Sequence, residues 1–349
     1  MTSSDGSVLL PGFARALLDP SIRTVMICGC GGGFDFLHGL MLWPELERLG
    51  KSIVLGSYSF GDPRKIGNAE VVFEHGSVLA KRVTASSIPA PHYAPEVHAA
   101  GFLDETYPKD APHQIYAYYA RDFTVPILTR LYEGLVKAHD VDAIVLIDGG
   151  SDSLMAGDEE GLGDPLEDAV SIATVSALRG PRVKILVTVG LGTDRFNHVS
   201  DAATLRAISE LTARGGFLGS LGLEPNAAPI RLYRELLEHL DTRHSFRSVL
   251  AGSILAAADG WFGGENVPPT LAARVRPGEL FLWPLMATIF AFDVTKVAER
   301  SLLTNWIREK SSVPECYAAI IEGREKRGVR EVENLPRHEE FRNPRGRFF

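Results

Sequence analysis

The stretch Asp148 to Asp168, DGGSDSLMAGDEEGLGDPLED, holds eight carboxylates: Asp148, Asp152, Asp158, Glu159, Glu160, Asp164, Glu167 and Asp168. No Lys or Arg occurs between Lys137 and Arg179. The run follows Ala143-Ile144-Val145-Leu146-Ile147, the apolar pattern of a fully buried strand. Asp148 therefore ends a strand and Asp152 follows two glycines, at the edge where open α/β sheets bind ligands. Acids crowded there repel one another unless a cation, a proton or a distant basic group offsets them. Carboxylate oxygens suit Mg²⁺ or Mn²⁺, so Asp148 and Asp152 are the expected metal ligands, with Gly149 and Gly150 expected to bind ligand. Asp164-Pro165-Leu166-Glu167 reads as a capping box that spends Asp164 and Glu167 on a helix start. Asp158 to Glu160 reads as a solvated loop.

Two further loops leave strand ends. Ile22 to Gly29 runs into Gly29-Cys30-Gly31-Gly32-Gly33-Phe34-Asp35. Glycines between a strand and a helix let backbone N–H groups approach an anion, so Gly31, Gly32 and Gly33 are expected to bind ligand. Asp35 is either the N-cap of the next helix or a cleft ligand. The dinucleotide fingerprint G-x-G-x-x-G fails, because Phe34 or Phe36 stands at its sixth position. The phosphate-loop Lys-Ser/Thr is absent, and the next strand ends Gly56-Ser57-Tyr58 without a ribose-binding acid. A nicotinamide oxidoreductase is thereby disfavoured. The strand Val183 to Val189 opens into Gly190-Leu191-Gly192-Thr193-Asp194-Arg195-Phe196-Asn197-His198. Asp194 and His198 join Asp148 and Asp152 as catalytic candidates, and Asn197 is a ligand candidate. Of the ten histidines, His198 is the best placed for acid–base work. Arg64 and Lys65 are the nearest cations to offset an anionic substrate, or else a solvated turn.

The elements that must position these residues follow from periodicity. The first sixty residues read strand, glycine loop, helix 35–49 kinked at Pro44, and strand 52–58, a βαβ unit. A hairpin is expected over 69–83. Residues 84–113, rich in Pro and without periodicity, read as a lid or binding loop. A helical stretch starts at Tyr116 and runs to Ala138 with a break at Pro126. Helices are expected over 166–178, 201–213, 229–240, 246–258 and 293–309. Ala213 to Gly222 reads as a small-residue linker, and Gly278 to Met286 as a last strand or buried turn. The fold class is α/β and Rossmann-like: one domain over 1–349, a mostly parallel sheet with helices on both faces, and a helical C-terminal part. From Arg324 onward, eight basic residues against five acids read as an extended, subunit-clasping tail, so a homo-oligomer is an open expectation.

The 349 residues are 45% apolar and 23% charged, an ordinary globular composition, with net charge −8. No basic stripe favours nucleic acid and no long apolar run favours a membrane. The N-terminus lacks the pattern of a signal peptide. Three cysteines, Cys28, Cys30 and Cys316, are too few for a disulfide framework and fit a reducing cytoplasm. Cys30 reads as a small residue in a tight loop. His92, His98 and His113 are too irregularly spaced for a metal site.

The combination of GGGFD, DGGSDSLMAGDEEGLGDPLED and GLGTDRFNHVS resembles an uncharacterised family of microbial proteins carrying a domain of unknown function. The resemblance spans most of the chain, and the acidic segment is its most specific part. It implies a Rossmann-like fold of about this length and no particular activity. The family loop is GGGGD; Phe34 replaces its last glycine here, which keeps the Asp35 match and weakens the case for close backbone approach. Two functions remain from the residues. One is a small-molecule enzyme with a divalent-cation-assisted acidic site, catalysing hydrolysis or transfer of phosphoryl, glycosyl or amide groups on a nucleotide-like or phosphorylated metabolite. The other is a binding or regulatory module that holds a cationic or nucleotide-like metabolite without turnover.

Overall fold

The computed structural model describes residues 9–331 apart from 245, 266, 277 and 278, and residues 334–335. Among these residues nine strands form one sheet: β1 Thr24–Gly29, β2 Ser52–Ser59, β3 Glu70–His75, β4 Val78–Val83, β5 Ile115–Tyr119, β6 Ala143–Gly149, β7 Val183–Val189, β8 Phe217–Gly222 and β9 Thr288–Asp293. Their spatial order is β3-β4-β5-β2-β1-β6-β7-β9-β8. The central five, β5-β2-β1-β6-β7, are all parallel. Counted alone in chain order they run 3-2-1-4-5, the doubly wound order in which the chain reverses direction between the first and fourth strands. Antiparallel strands extend both edges.

β6 is buried along its whole length, as its unbroken apolar run requires. Alternate side chains serve two cores. Val25, Ile27, Val145 and Ile147 face the helices Gly12–Leu18, Ala228–His244 and Val249–Ala258. Met26, Cys28, Ile144 and Leu146 face Val125–His139, Glu167–Ala177 and the C-terminal helices. The C-terminal part is helical, in Val294–Arg300, Leu302–Ile307 and Val313–Arg327. Among the described residues no helix is long and apolar enough to cross a membrane.

Several local expectations give way to tertiary context. Tyr116, Tyr118 and Tyr119 do not begin a helix; Ile115–Tyr119 is β5, paired with β2, because aromatic and β-branched residues fit a pleated, buried surface. The helix starts at Val125, with Pro126 in its first turn rather than at a break. The stretch 84–113 is not a structureless loop, for Pro95–Thr106 is a helix. The expected small-residue linker contains β8, and β9 follows the segment 278–286 rather than lying within it. These two strands pair with each other across a large sequence separation, which local patterning does not register. Arg324, the expected start of an extended tail, lies in the last turn of Val313–Arg327; most of the expected tail beyond it lies outside the described residues.

The helix expected over 35–49 is split into Asp35–His38, a 3₁₀ turn Gly39–Leu42 and Trp43–Arg48, with Pro44 in the first turn of the last piece. The tightening falls where Gly39 presses on the sheet. A Cβ there would lie 2.4 Å from Ile27 Cγ2 and 3.0 Å from Ile147 Cγ1. Gly39→Ala is expected to destabilise by about 1–3 kcal/mol through overpacking. A lowered urea midpoint with unchanged slope is the predicted result; a midpoint at or above wild type would show that the helix is not held against β1 and β6 in this way.

Candidate functional site

The carboxyl ends of β1 and β6 lie side by side at the point where the strand order reverses. That crevice is where doubly wound sheets bind ligands. Here it is a cavity of about 430 Å³ lined by Gly31, Gly32, Gly33 and Gly149, and by seven carboxylates: Asp35, Asp148, Asp152, Asp164, Glu167, Asp168 and Asp194. The loops after β1, β6 and β7 thus bring Asp35, Asp148, Asp152, Asp194 and Asn197 together. Gly150 sits just behind, where a Cβ would lie 2.2 Å from Asp194 Oδ2.

Asp35, Asp148 and Asp168 form the tightest group, each offering one oxygen within 4.8 Å of the others. Asp148 ends the buried β6, and its Oδ2 accepts from the Ser153 hydroxyl. Asp35 lies at the first position of its short helix rather than at the N-cap. Its Oδ2 accepts from the Gly31 amide at 2.9 Å and its Oδ1 from the Gly149 amide at 3.1 Å. Asp168 is 6% exposed, and its Oδ1 is buried without a hydrogen-bond partner among the described residues. A Cβ at Gly31 would stand 2.7 Å from that oxygen and 3.1 Å from Asp35 Oδ2, so only glycine lets both carboxylates come this close to the loop.

The glycine loop does not offer these amides to an outside anion. Gly31 donates to Asp35, and Gly32 donates to Glu167 Oε2 at 3.0 Å. The expected capping box is not formed: Leu166 is the N-cap of Glu167–Ala177 and makes no side-chain cap bond. Asp164 Oδ1 instead accepts from the Leu166 amide at 3.3 Å, and Glu167 turns into the cavity. Glu167 and Asp168 are therefore site residues that local pattern reading passes over. Their signal is position: acids in the first turn of a helix whose N-terminus faces the crevice, where the helix dipole favours negative charge. Asp152, expected beside Asp148 as a metal ligand, lies outside the triad, and its Oδ2 accepts from the Asp164 amide at 3.0 Å.

Burial pushes Asp35, Asp148, Asp168 and Asp194 well above the ordinary carboxylate range, and neighbouring acids, Asp152 foremost, push them further. Burial also lifts Asp152 to about 6 and Glu167 to about 8. Two unit charges 4.8 Å apart repel by about 3 kcal/mol at an effective dielectric near 20. Three such pairs approach about 10 kcal/mol, comparable to the whole net stability of a domain, whereas one charge-assisted hydrogen bond offsets about 1.5–3 kcal/mol. Backbone amides alone do not hold the triad fully ionised. A proton or a cation has to share it.

His198 is not part of this group. It follows the 3₁₀ turn Thr193–Asn197 in a left-handed conformation, φ 65°, is exposed, and does not line the cavity. It lines a separate recess with Glu159, Glu160 and Arg330. The histidine at the cavity is His38, on the helix after the glycine loop. Its Nδ1 lies 2.5 Å from the Tyr233 hydroxyl, and burial pushes its pKa down to about 3, so the ring is neutral. Arg64 is spent on Asp62 and Asp122. The cations on the cavity lining are Arg247 and Arg274, both exposed. Cys30 is fully buried and burial raises its thiol far above the reactive range.

The raised carboxylates have a consequence for stability. Between the ordinary carboxylate range and pH 8 the folded protein binds more protons than the unfolded chain, so their stabilisation is complete at low pH and is lost as pH rises through 6 and then 8. His38 opposes this only below its unfolded value near 6.5. Unfolding free energy of the metal-free protein is expected to fall from pH 6.5 to pH 8.5 by on the order of 1–3 kcal/mol, and Glu167→Gln should flatten the slope. Urea titrations across that range decide it; stability that rises with pH would contradict the protonated cluster.

No curated protein and no solved structure matches the chain. A family model does, over residues 117–329, which include six of the seven cavity carboxylates and leave out Asp35. That match covers more than half of the chain, and the protein belongs to the family described as Protein of unknown function (DUF1152).

Proposed function

We propose that Asp35, Asp148 and Asp168 hold a divalent cation, Mg²⁺ or Mn²⁺, and that the crevice is the site of a cation-assisted hydrolase or transferase acting on a phosphorylated, nucleotide-like metabolite. The observation that carries this reading is Asp168 Oδ1, a buried carboxylate oxygen with no partner among the described residues, in a triad whose oxygens lie within 4.8 Å of one another. Buried polar atoms in native proteins are satisfied, and an orphan among convergent oxygens matches the hard-oxygen coordination of these ions. Three protein ligands leave positions for water and substrate. A cation there supplies Lewis acidity toward a phosphoryl oxygen and lowers the pKa of a bound water.

The chain's own residues divide the remaining work. Asp152, outside the triad and raised to about 6, is the carboxylate suited to take a proton from an attacking water near neutral pH. Asp194 accepts from the Ser151 amide at 2.7 Å and fixes the loop that carries Asp152. Neutral His38, held by Tyr233, replaces His198 as the imidazole that can contact substrate. Gly31 to Gly33 keep the floor free of side chains.

Thermal melts of the wild type, Asp148→Asn and Asp168→Asn, with Mg²⁺, Mn²⁺ and Ca²⁺, test the reading. At saturating ion the wild type should melt higher by about 5 °C or more. Both variants should lose that shift, and without metal they should melt above the wild type because one repelling charge is gone. A wild type indifferent to all three ions would sink the cation site. A shift with an amine instead would then favour a module that binds a cationic metabolite.

A further inference from the structure

A second recess, of about 410 Å³, opens beside the acidic cavity, and Phe60, Asp164 and Glu167 line both. Its other walls bear Arg121 and Tyr317, over Leu166 and Val313. Phe60 follows β2 and lies flat on the glycine loop, where a Cβ at Gly32 would meet its ring at 2.1 Å. The ring is nevertheless 51% exposed, and Tyr317 on the helix Val313–Arg327 is 43% exposed. Two large aromatic residues are thus presented to the same hollow, next to the proposed cation. Arg121 acts through its charge on both Glu167 and Tyr317, so cation, acids and rings converge on one space.

We infer, on the basis of the cation-site reading above, that this recess binds the base of a nucleotide whose phosphate lies in the acidic cavity, and that the base carries an amino and an oxo group side by side, as guanine and cytosine do. The rings of Phe60 and Tyr317 supply apolar faces for a planar heterocycle, and stacking on such side chains is tolerant of base identity. The edge is read by the polar groups. Asp164 supplies an acceptor, as an exocyclic amino group requires. Arg121 offers only donors, as a ring carbonyl requires. Hypoxanthine and uracil lack the amino group and adenine lacks the carbonyl, so each leaves part of this set unmatched. An unmatched polar contact costs more than a lost apolar one, so discrimination falls on the edge rather than on the stack.

Calorimetric titration of the full chain saturated with Mn²⁺ tests this. The ligands are the 5′-monophosphates of guanosine, cytidine, inosine, uridine and adenosine, together with ribose 5-phosphate. The guanosine and cytidine compounds should bind about tenfold more tightly than the other three nucleotides. Ribose 5-phosphate should bind more weakly than any nucleotide. Phe60→Ala and Tyr317→Ala, at exposed positions, should each lower nucleotide affinity by about tenfold while Mn²⁺ and ribose 5-phosphate affinities stay at wild-type values. Equal affinity for ribose 5-phosphate and the nucleotides, indifference to both substitutions, or Mn²⁺ binding without any nucleotide binding would overturn the inference and leave the cation site standing. Guanosine binding in EDTA that is lost in Phe60→Ala, by a protein that takes up no Mn²⁺, would retain the recess and remove the cation site.

Discussion

Like-charge repulsion in a buried crevice is the constraint around which the structure is arranged. Seven carboxylates face one cavity at the switch point of the sheet, and the two arginines on its lining are exposed at the rim. What holds most of the acids is main chain. The amides of Gly31, Gly32, Gly149, Ser151 and Asp164 each donate to a carboxylate of the cluster. The Gly-rich loop that resembles a phosphate cradle is turned inward to the protein's own anions. The glycines also provide the room. At Gly163, φ is +64° and a Cβ would lie 2.1 Å from Asp152 Oδ2, so both backbone conformation and packing exclude a side chain.

The acidic segment after β6 is divided into two parts by its surroundings. Its middle is neutralised from outside the crevice. Glu159 accepts from the amides of Ala156 and Gly157 and faces Arg330 at 2.6 Å and Arg300 at 3.7 Å. Asp158 pairs with Arg330, whose amide also donates to the Asp158 carbonyl at 2.7 Å. Arg300 is buried and reaches the Leu154 carbonyl and Glu210. These contacts fasten the loop to the C-terminal helices and set the two ends of the segment, Asp148–Asp152 and Asp164–Asp168, against the cavity. A structural half paired directly with Arg300 and Arg330 and a cleft half held mainly by amides come from one continuous run of acids.

The cleft half also explains the neighbours of the site. His38 is neutral because it is buried, and Tyr233 from a distant helix fixes one of its ring nitrogens. Phe60 covers the glycine loop from β2, and Tyr93 lines the cavity from the segment before Pro95–Thr106. Each comes from a different element, and each packs against carboxylates or glycines that the central strands place. The parallel core does the positioning, and the antiparallel edges widen the sheet that supports it.

The sequence by itself determined four of the five central strands, β1, β2, β6 and β7, the fold class, and which three loops meet at the sheet edge. Buried parallel strands write themselves as short apolar runs, and the strand-end rule then places Asp35, Asp148, Asp152 and Asp194 without coordinates. Only the tertiary structure decided which acids are structural and which face the cavity. That choice depends on Arg300 and Arg330, more than a hundred residues downstream, and on amide donors from other loops. Asp168 and Glu167 look like ordinary first-turn residues until their helix is aimed at the crevice. His198 looks well placed until the fold sets it in a separate recess, and Tyr116 to Tyr119 look helical until β2 supplies a pairing partner. Local pattern records what a segment buries; it does not record which partner, tens or hundreds of residues away, satisfies its charges and hydrogen bonds.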